Sequence, residues 1–449
     1  MKTSVRRLNY QALINSYRVI DSPISDFKNI LDILKSTRKG CSARVEIIPF
    51  DKLSSWYFDD KGNLRHESGR YFSIEGLEII NHELGIKKYQ PIINQNEHGI
   101  LGLLTKVINN VSYFLVQFKV EPGNIELVQI SPTVQATKSN YSKVHKGKSV
   151  PYIEFFTDSK FEDNVIFKRL LSEQGNKFFH KRNYNILVEL DEDMDLVTKP
   201  GYMWLTLGQI SRLLEIPNAI NMDLRSIVSC ISFLDEKAVK KEYPKNTIGV
   251  FNKWLNKKRR YEAKIVSLQS LYDHGWEKSE DKIFSKEDLE FELNCINVLI
   301  ESREITCWTQ PIVKDGHSKL NGLIIKKING ITHVLVQACQ EYGSFTGVEI
   351  GPSVHNYYAG QDSYLTKYFT NFENSELLYS VNQSEEGGRF YQFINKYMIV
   401  SVSQDIPLKE NYLWVSHNQL KLLMNMECSI NMEARSLISY LNYIELKNG

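Results

Sequence analysis

The chain has 449 residues, of which 42% are hydrophobic and 24% charged, with 55 Lys and Arg against 53 Asp and Glu. That composition excludes an intrinsically disordered chain, and a net charge of +2 excludes a global field built for nucleic acid or an anionic membrane. At roughly 150 residues per domain, the length predicts two or three domains. The opening Met1–Tyr10 is positively charged but has no apolar segment behind it, so it does not read as a secretory signal. No apolar run approaches the ~20 residues of a membrane-spanning helix. The six cysteines (Cys41, Cys230, Cys295, Cys307, Cys339 and Cys428) are scattered without a CxxC pair. They read as reduced thiols of a cytoplasmic protein rather than a disulfide frame or zinc site.

In chain order, Ile30-Leu31-x-Ile33-Leu34 before Lys35 predicts an opening helix. Val111–Phe118, rich in β-branched and aromatic residues, predicts a strand. A polar stretch follows: Lys119-Val120-Glu121-Pro122-Gly123-Asn124, then Ser131–Tyr141 and His145. Leu224, Ile227, Val228 and Ile231 keep the i, i+3, i+4, i+7 spacing of an amphipathic helix. Asn221 stands at its N-cap, and Asp223 in its first turn favours the helix dipole. The charged, Lys-rich stretch Asp235–Gly249 predicts a solvated helix joining two domains.

The same elements then recur. Gln90-Pro91-Ile92 returns 220 residues later as Gln310-Pro311-Ile312. At that offset Trp56 falls on Trp276, Gly102 on Gly322, Leu115-Val116-Gln117 on Leu335-Val336-Gln337, Glu121 on Glu341 and Gly123 on Gly343. The offset then slips to 210, where Tyr202-x-Trp204 meets Tyr412-x-Trp414, and Ile220-Asn221-Met222 meets Ile430-Asn431-Met432. Arg225 and Arg435 correspond and are expected to tie each closing helix to its sheet. The basic run Lys257–Arg260 follows Phe251-x-x-Trp254-Leu255, the second opening helix, and so reads as a solvated face. A period this long makes each copy a domain, not a solenoid unit: a first repeat over 1–240 and a second over 241–449.

The copies differ most in the polar stretch. Ser131 becomes Gly351, Lys119 becomes Cys339, and the run Thr137-Lys138-Ser139-Asn140-Tyr141 has no clear counterpart. Residues shared by both copies are most simply explained by the fold, whereas a polar cluster kept by one copy points to chemistry. This density suits a loop that hydrogen-bonds sugar hydroxyls or a pyrophosphate; an ordered surface loop is the alternative.

Several runs closely resemble the NDP-hexose 2,3-dehydratases of deoxysugar biosynthesis. These are Val116-Gln117-x-Lys119-Val120-Glu121-Pro122-Gly123-Asn124, the segment Ser131-Pro132-Thr133-Val134-Gln135-Ala136-Thr137-x-Ser139-Asn140-Tyr141 with His145, and Gly62-Asn63-Leu64-x-His66-x-x-Gly69-Arg70-Tyr71-Phe72. Ser172-Glu173-Gln174-Gly175 and Lys181-Arg182-Asn183-x-Asn185 resemble the family too. The resemblance implies an α/β protein of two tandem, duplicated Nudix-like α/β/α domains with mixed sheets, assembled as a homodimer. It implies a substrate, dTDP-4-keto-6-deoxyglucose, that loses its C2 hydroxyl to give a 3,4-diketo-2,6-dideoxy sugar nucleotide, which a downstream 3-ketoreductase consumes. It also implies one active pocket, in the first repeat, and a degenerate one in the second.

That elimination needs a base at C3, an acid for the leaving hydroxyl and donors near the C4 oxygen. Oxidation at C3 and reduction at C2 cancel, so no nicotinamide cofactor is expected, and no metal is expected because the carboxylates of a Nudix metal box are missing. The candidate catalytic groups are Tyr141, His145, Lys119 and Glu121. Lys119 and Glu121 remain alternative bases, and the match of Glu121 to Glu341 favours a structural role for it. Candidates for substrate binding are Thr133, Gln135, Thr137, Lys138, Ser139, Asn140 and Asn185, with Arg182 as a phosphate partner. Trp56 and Trp276 either stack on thymine or cover the sugar, or else belong to the core. Two other readings stand beside this one. A metal-dependent Nudix hydrolase needs a Glu-rich box, but here Leu289 replaces its Gly and Thr306-Cys307-Trp308 follow Arg303-Glu304-Ile305. A non-catalytic nucleotide-sugar binder would release its ligand unchanged.

Overall fold

The computed structural model describes residues 8–138, 150–231, 247–286, 291–300, 306–357 and 364–448. The chain is mixed α/β and written twice. In each copy a seven-stranded mixed sheet is built around one long hairpin, Gly99–Ile108 with Val111–Val120 in the first and Leu320–Ile328 with Ile331–Gln340 in the second. The predicted strands at 111–118 and 331–337 are therefore central. On the outer side of each hairpin a later strand joins in parallel: Arg182–Glu189 beside Gly99–Ile108, and Ile394–Ser401 beside Leu320–Ile328. The matched glycines have a packing role. A Cβ on Gly102 would overlap the Phe156 ring, and one on Gly322 the Phe369 ring, so each glycine lets an aromatic ring lie flat on its sheet.

The opening helices form at Phe27–Lys39 and Thr247–Asn256. The closing helices, Met222–Ser229 and Met432–Asn448, begin at the predicted caps: Asn221 Oδ1 accepts from Leu224 N at 2.9 Å and Asn431 Oδ1 from Ala434 N at 3.0 Å. The amphipathic spacing predicts a wet face, yet Asp223, Arg225, Ser226 and Ser229 are buried as well. The reason is that the two closing helices pack on each other between the two large sheets, merging both copies into one core. Arg225 donates to Ile220 O of its own copy and to Ser384 O of the other, and Arg435 to Ile430 O and Ser172 O. These arginines thus tie each closing helix across the pseudo-twofold to the sheet of the opposite repeat.

The copies also exchange strands. Arg44–Ile48 of the first runs antiparallel to Glu292–Leu299 of the second, Arg44 facing Leu299 and Ile48 facing Cys295. In return, Tyr261–Val266 of the second pairs with Ser73–Asn81 of the first, from Tyr261↔Asn81 to Val266↔Gly76. The loops after Val165–Ser172 and Glu376–Ser384 cross in the same reciprocal way. Gly123 N donates to Gly387 O at 2.6 Å, and Gly343 N to Gly175 O at 2.7 Å. Each small sheet is therefore completed by the other copy. Most of the Lys-rich seam, residues 232–246, lies outside the described residues, and among the described ones no helix is long and apolar enough to cross a membrane.

Candidate active site

A cavity of about 760 Å³ opens beside the edge of the first large sheet, a size suited to a small-molecule site. Its base is set by the end of the strand Val111–Val120 and by the closing helix. Glu121 accepts from Lys119 Nζ at 3.1 Å and from Gln135 Nε2 at 2.7 Å, and Gln135 Oε1 accepts from Asn221 Nδ2 at 3.1 Å. The residue that caps the closing helix therefore also fixes the floor of the cavity. One turn on, Asp223 lines the same space. Glu173 enters from the loop after Val165–Ser172, one oxygen accepting from Asn183 Nδ2 at 2.6 Å and the other without a partner among the described residues.

The second repeat supplies the far wall, including Trp308, Glu386 and Arg389. The guanidinium of Arg389 lies 4.2 Å over the Phe72 ring and donates to Gly388 O, while its Nε has no hydrogen-bond partner among the described residues. A half-buried guanidinium with unused donor capacity is a seat for an anion.

Five carboxyl groups (Glu97, Glu121, Glu173, Asp223 and Glu386) thus line one cavity. Burial, reinforced by Glu173, Glu121 and Glu386, pushes Asp223 well above the usual carboxylate range, with Lys119 opposing. Burial likewise lifts Glu386 to about 7 and brings Lys181 down to about 8. Groups whose protonation changes near neutral pH are what proton transfer requires.

At the other end Trp56, His66, Tyr71 and Phe72 form an aromatic wall, in which Trp56 donates through Nε1 to Thr309 O at 3.0 Å and packs 4.9 Å from Phe72. Next to it lies a depression of about 550 Å³ that shares Tyr71, Gln95 and Glu97 with the cavity and carries Arg65, Arg70 and Lys138. The same depression carries Glu75 and Glu97, and Arg65 is paired with Asp59 at 2.6 Å and Glu75 at 3.3 Å, so the mouth is of mixed charge with Arg70 and Lys138 as its further cations.

Of the residues singled out from sequence, Lys119, Glu121, Gln135, Thr137 and Trp56 line the cavity, and Lys138 lines the mouth. Ser139, Asn140, Tyr141 and His145 fall outside the described residues. Four others face elsewhere. Thr133 is buried under the sheet, its Oγ1 accepting from Leu104 N and donating to Leu115 O. Asn185 accepts from Ser226 on the closing helix, Arg182 stacks 3.8 Å over Phe345, and Trp276 is turned into the core with its Nε1 on Tyr89 O. Sequence reasoning missed Asp223, because Glu433 matches it and shared residues read as fold. It missed Arg389 and Glu386 because they belong to the other copy. The match of Arg389 to Lys177, basic in both repeats, was the available signal.

The equivalent place in the second repeat is filled differently. Cys339 stands for Lys119, His355 for Gln135 and Glu433 for Asp223. His355 Nε2 lies 3.5 Å from Glu341 Oε1 and 3.4 Å from Glu433 Oε2. These three are of metal-ligating type and their ligand atoms lie within 4.8 Å of one another. Burial alone would lower the imidazole pKa, but Cys339 and Glu433 hold it well above the usual range, so the histidine acts as a built-in cation for Glu433. The Ser131/Gly351 difference follows from the same exchange, since a Cβ on Gly351 would collide with Cys339 Sγ.

The fold and cavity define a fused duplicate whose cavity is lined by groups suited to proton transfer. The profile of the family described as NDP-hexose 2,3-dehydratase matches residues 27–231 and 249–441. A dTDP-4-dehydro-6-deoxy-alpha-D-glucopyranose 2,3-dehydratase of Saccharopolyspora spinosa is 34% identical over 95% of this chain and 95% of its own length. One of the same description from Amycolatopsis orientalis is 37% identical over 89% of this chain and 86% of its own. The chain belongs to the NDP-hexose 2,3-dehydratase family and is a hydro-lyase. Among solved structures, an Ap4A hydrolase of C. elegans covers 31% of this chain at 15% identity with a TM-score of 0.21, a likeness too slight to argue from.

Proposed function

We propose that the protein eliminates the C2 hydroxyl of dTDP-4-keto-6-deoxy-D-glucose, giving the 3,4-diketo-2,6-dideoxy sugar nucleotide. The observation that carries this reading is the cluster of Glu121, Glu173 and Asp223, all buried, with the half-buried Glu386, beside Lys119 and Lys181 in one cavity. The C4 ketone acidifies the C3 hydrogen; its removal gives an enolate, which expels the C2 hydroxyl. The resulting C3 enol then becomes a ketone. In this arrangement the sugar occupies the carboxylate-lined interior, Arg65, Arg70 and Lys138 hold the diphosphate, and the wall around Trp56 receives the base. The names of the relatives support the thymidine nucleotide and the 4-keto sugar.

The working pocket belongs to the first repeat, 1–240, and the second repeat, 241–449, contributes a wall and carries a quenched copy. The product is a reactive vicinal diketone, which fits consumption by a 3-ketoreductase; a cytoplasmic homodimer is the assembly we expect. The test is incubation of the protein with dTDP-4-keto-6-deoxyglucose and a 3-ketoreductase that traps the product, without added metal and followed by mass spectrometry. Loss of one water from the sugar nucleotide is the expected result. Recovery of a bound but unaltered sugar nucleotide would favour a binding protein.

A further inference from the structure

Five carboxyl groups line the cavity, but they are not equally free to react, and Glu97 already accepts from Gln95 Nε2 at 3.0 Å. Glu121 is engaged by Lys119 and Gln135, Glu173 accepts from Asn183, and Glu386 Oε1 accepts from Gly388 N at 3.1 Å. Asp223 stands apart. It is 4% exposed, lines the cavity and has no side-chain hydrogen bond among the described residues. The closing helix fixes its position, through the Asn221 cap two residues before it and the Arg225 bonds two residues after it.

The second repeat provides an internal comparison. Its matching carboxylate, Glu433, faces His355 Nε2 at 3.4 Å, and Gln174 reaches its other oxygen at 3.4 Å. The first repeat has Gln135 in place of that histidine, and Gln135 is turned to Glu121 and Asn221 instead. One copy has thus neutralised this carboxyl group with a cation, and the other leaves it facing an open cavity.

Resting on the functional reading above, we propose that Asp223 is the catalytic residue that removes the C3 proton and returns it to the departing C2 hydroxyl. The C3–H bond breaks and its proton passes to the Asp223 carboxylate, the electron pair moving onto the C4 oxygen as an enolate. The enolate then re-forms the C4 carbonyl, a C2=C3 double bond forms, and the C2–O bond breaks. The same proton leaves with that oxygen as water, so no external acid or oxidant is consumed. In a gluco-configured chair the C3 hydrogen and the C2 hydroxyl are gauche, so one carboxyl group reaches both. The elevated basicity that burial among Glu173, Glu121 and Glu386 confers suits abstraction from carbon better than an ordinary carboxylate would. Lys119 and Arg389, in the same cavity, are the cations available to the developing enolate.

The test compares wild type with Asp223→Asn and Asp223→Glu. Turnover is read by trapped product, C3 hydrogen exchange by incubating dTDP-4-keto-6-deoxyglucose in D2O, and binding by calorimetry with dTDP-glucose. Asp223→Asn is expected to lose about 10²–10⁴-fold in kcat, and C3 exchange with it, while dTDP-glucose affinity stays within about threefold. Asp223→Glu is expected to recover part of the rate with a displaced pH profile. An Asp223→Asn protein that keeps kcat within tenfold, or that still exchanges C3 hydrogen at the wild-type rate, would overturn the assignment. Parallel loss of affinity and turnover in both variants would overturn it too, in favour of a structural role. A wild-type protein that does not eliminate would instead defeat the functional reading itself.

Discussion

At the scale of single residues, the two copies act as each other's control. Gln135 and His355 occupy one position, and the imidazole is what converts a reactive carboxyl into an ion pair. Gln135→His is therefore expected to lower kcat by at least about tenfold without unfolding the protein, as measured by product trapping alongside a thermal melt. Gly351 is the steric counterpart of that exchange. Because Cys339 Sγ fills the space a Cβ would need, Gly351→Ala should cost about 1–3 kcal/mol in a denaturant melt. Most of that loss should disappear in the double variant Gly351→Ala, Cys339→Ala, which vacates the sulfur's space. Lys119, Gln135 and Thr137 were legible from sequence because one copy keeps them in a dense polar run, and Glu121, though matched by Glu341, was singled out as part of that run. Asp223 was not, since a first-turn acid on a helix has an ordinary explanation in the helix dipole, and only the fold shows that this acid is buried in a cavity.

At the scale of elements, hydrophobic spacing located the central strands and both closing helices, and the Asn caps placed the helix starts. Partnership is a different matter. Arg44–Ile48 has the β-branched content of a strand, but nothing in Arg44-Val45-Glu46-Ile47-Ile48 states that its partner is Glu292–Leu299, some 250 positions away. The same holds for the Arg225 and Arg435 side chains, read as ties within a copy and found to bridge the two. The reciprocal exchange carries a prediction. Residues 1–240 or 241–449 produced alone would each leave a sheet edge unpaired and half a core exposed. Each is expected to be insoluble or molten by near-UV circular dichroism, and co-expression should return a one-to-one complex that co-purifies. Two independently folded, monomeric halves would contradict the interlocked packing.

For the whole molecule, the buried polar seam between the copies governs pH behaviour. Burial, reinforced by Glu433, raises Glu341 to about 8, burial raises Glu386 to about 7, and His355 is held above its ordinary value. In each case the folded state binds a proton that the unfolded state releases, so stability falls as pH rises through the folded-state values. Each group contributes at most about 1.4 kcal/mol per pH unit. His417, which burial lowers to about 3, is neutral in both states above about pH 6.5 and adds no slope there. Tm is therefore expected to fall between pH 6.5 and 8, and to fall less steeply in Glu341→Gln. The central claim is that a fused pair of similar pockets carries out its chemistry in only one of them, the other being neutralised from within by His355. Single-turnover elimination by Asp223→Asn and by Glu433→Gln tests it most directly. The first variant should be slower than wild type by at least about a hundredfold and the second within about threefold, whereas equal losses in the two would contradict the account.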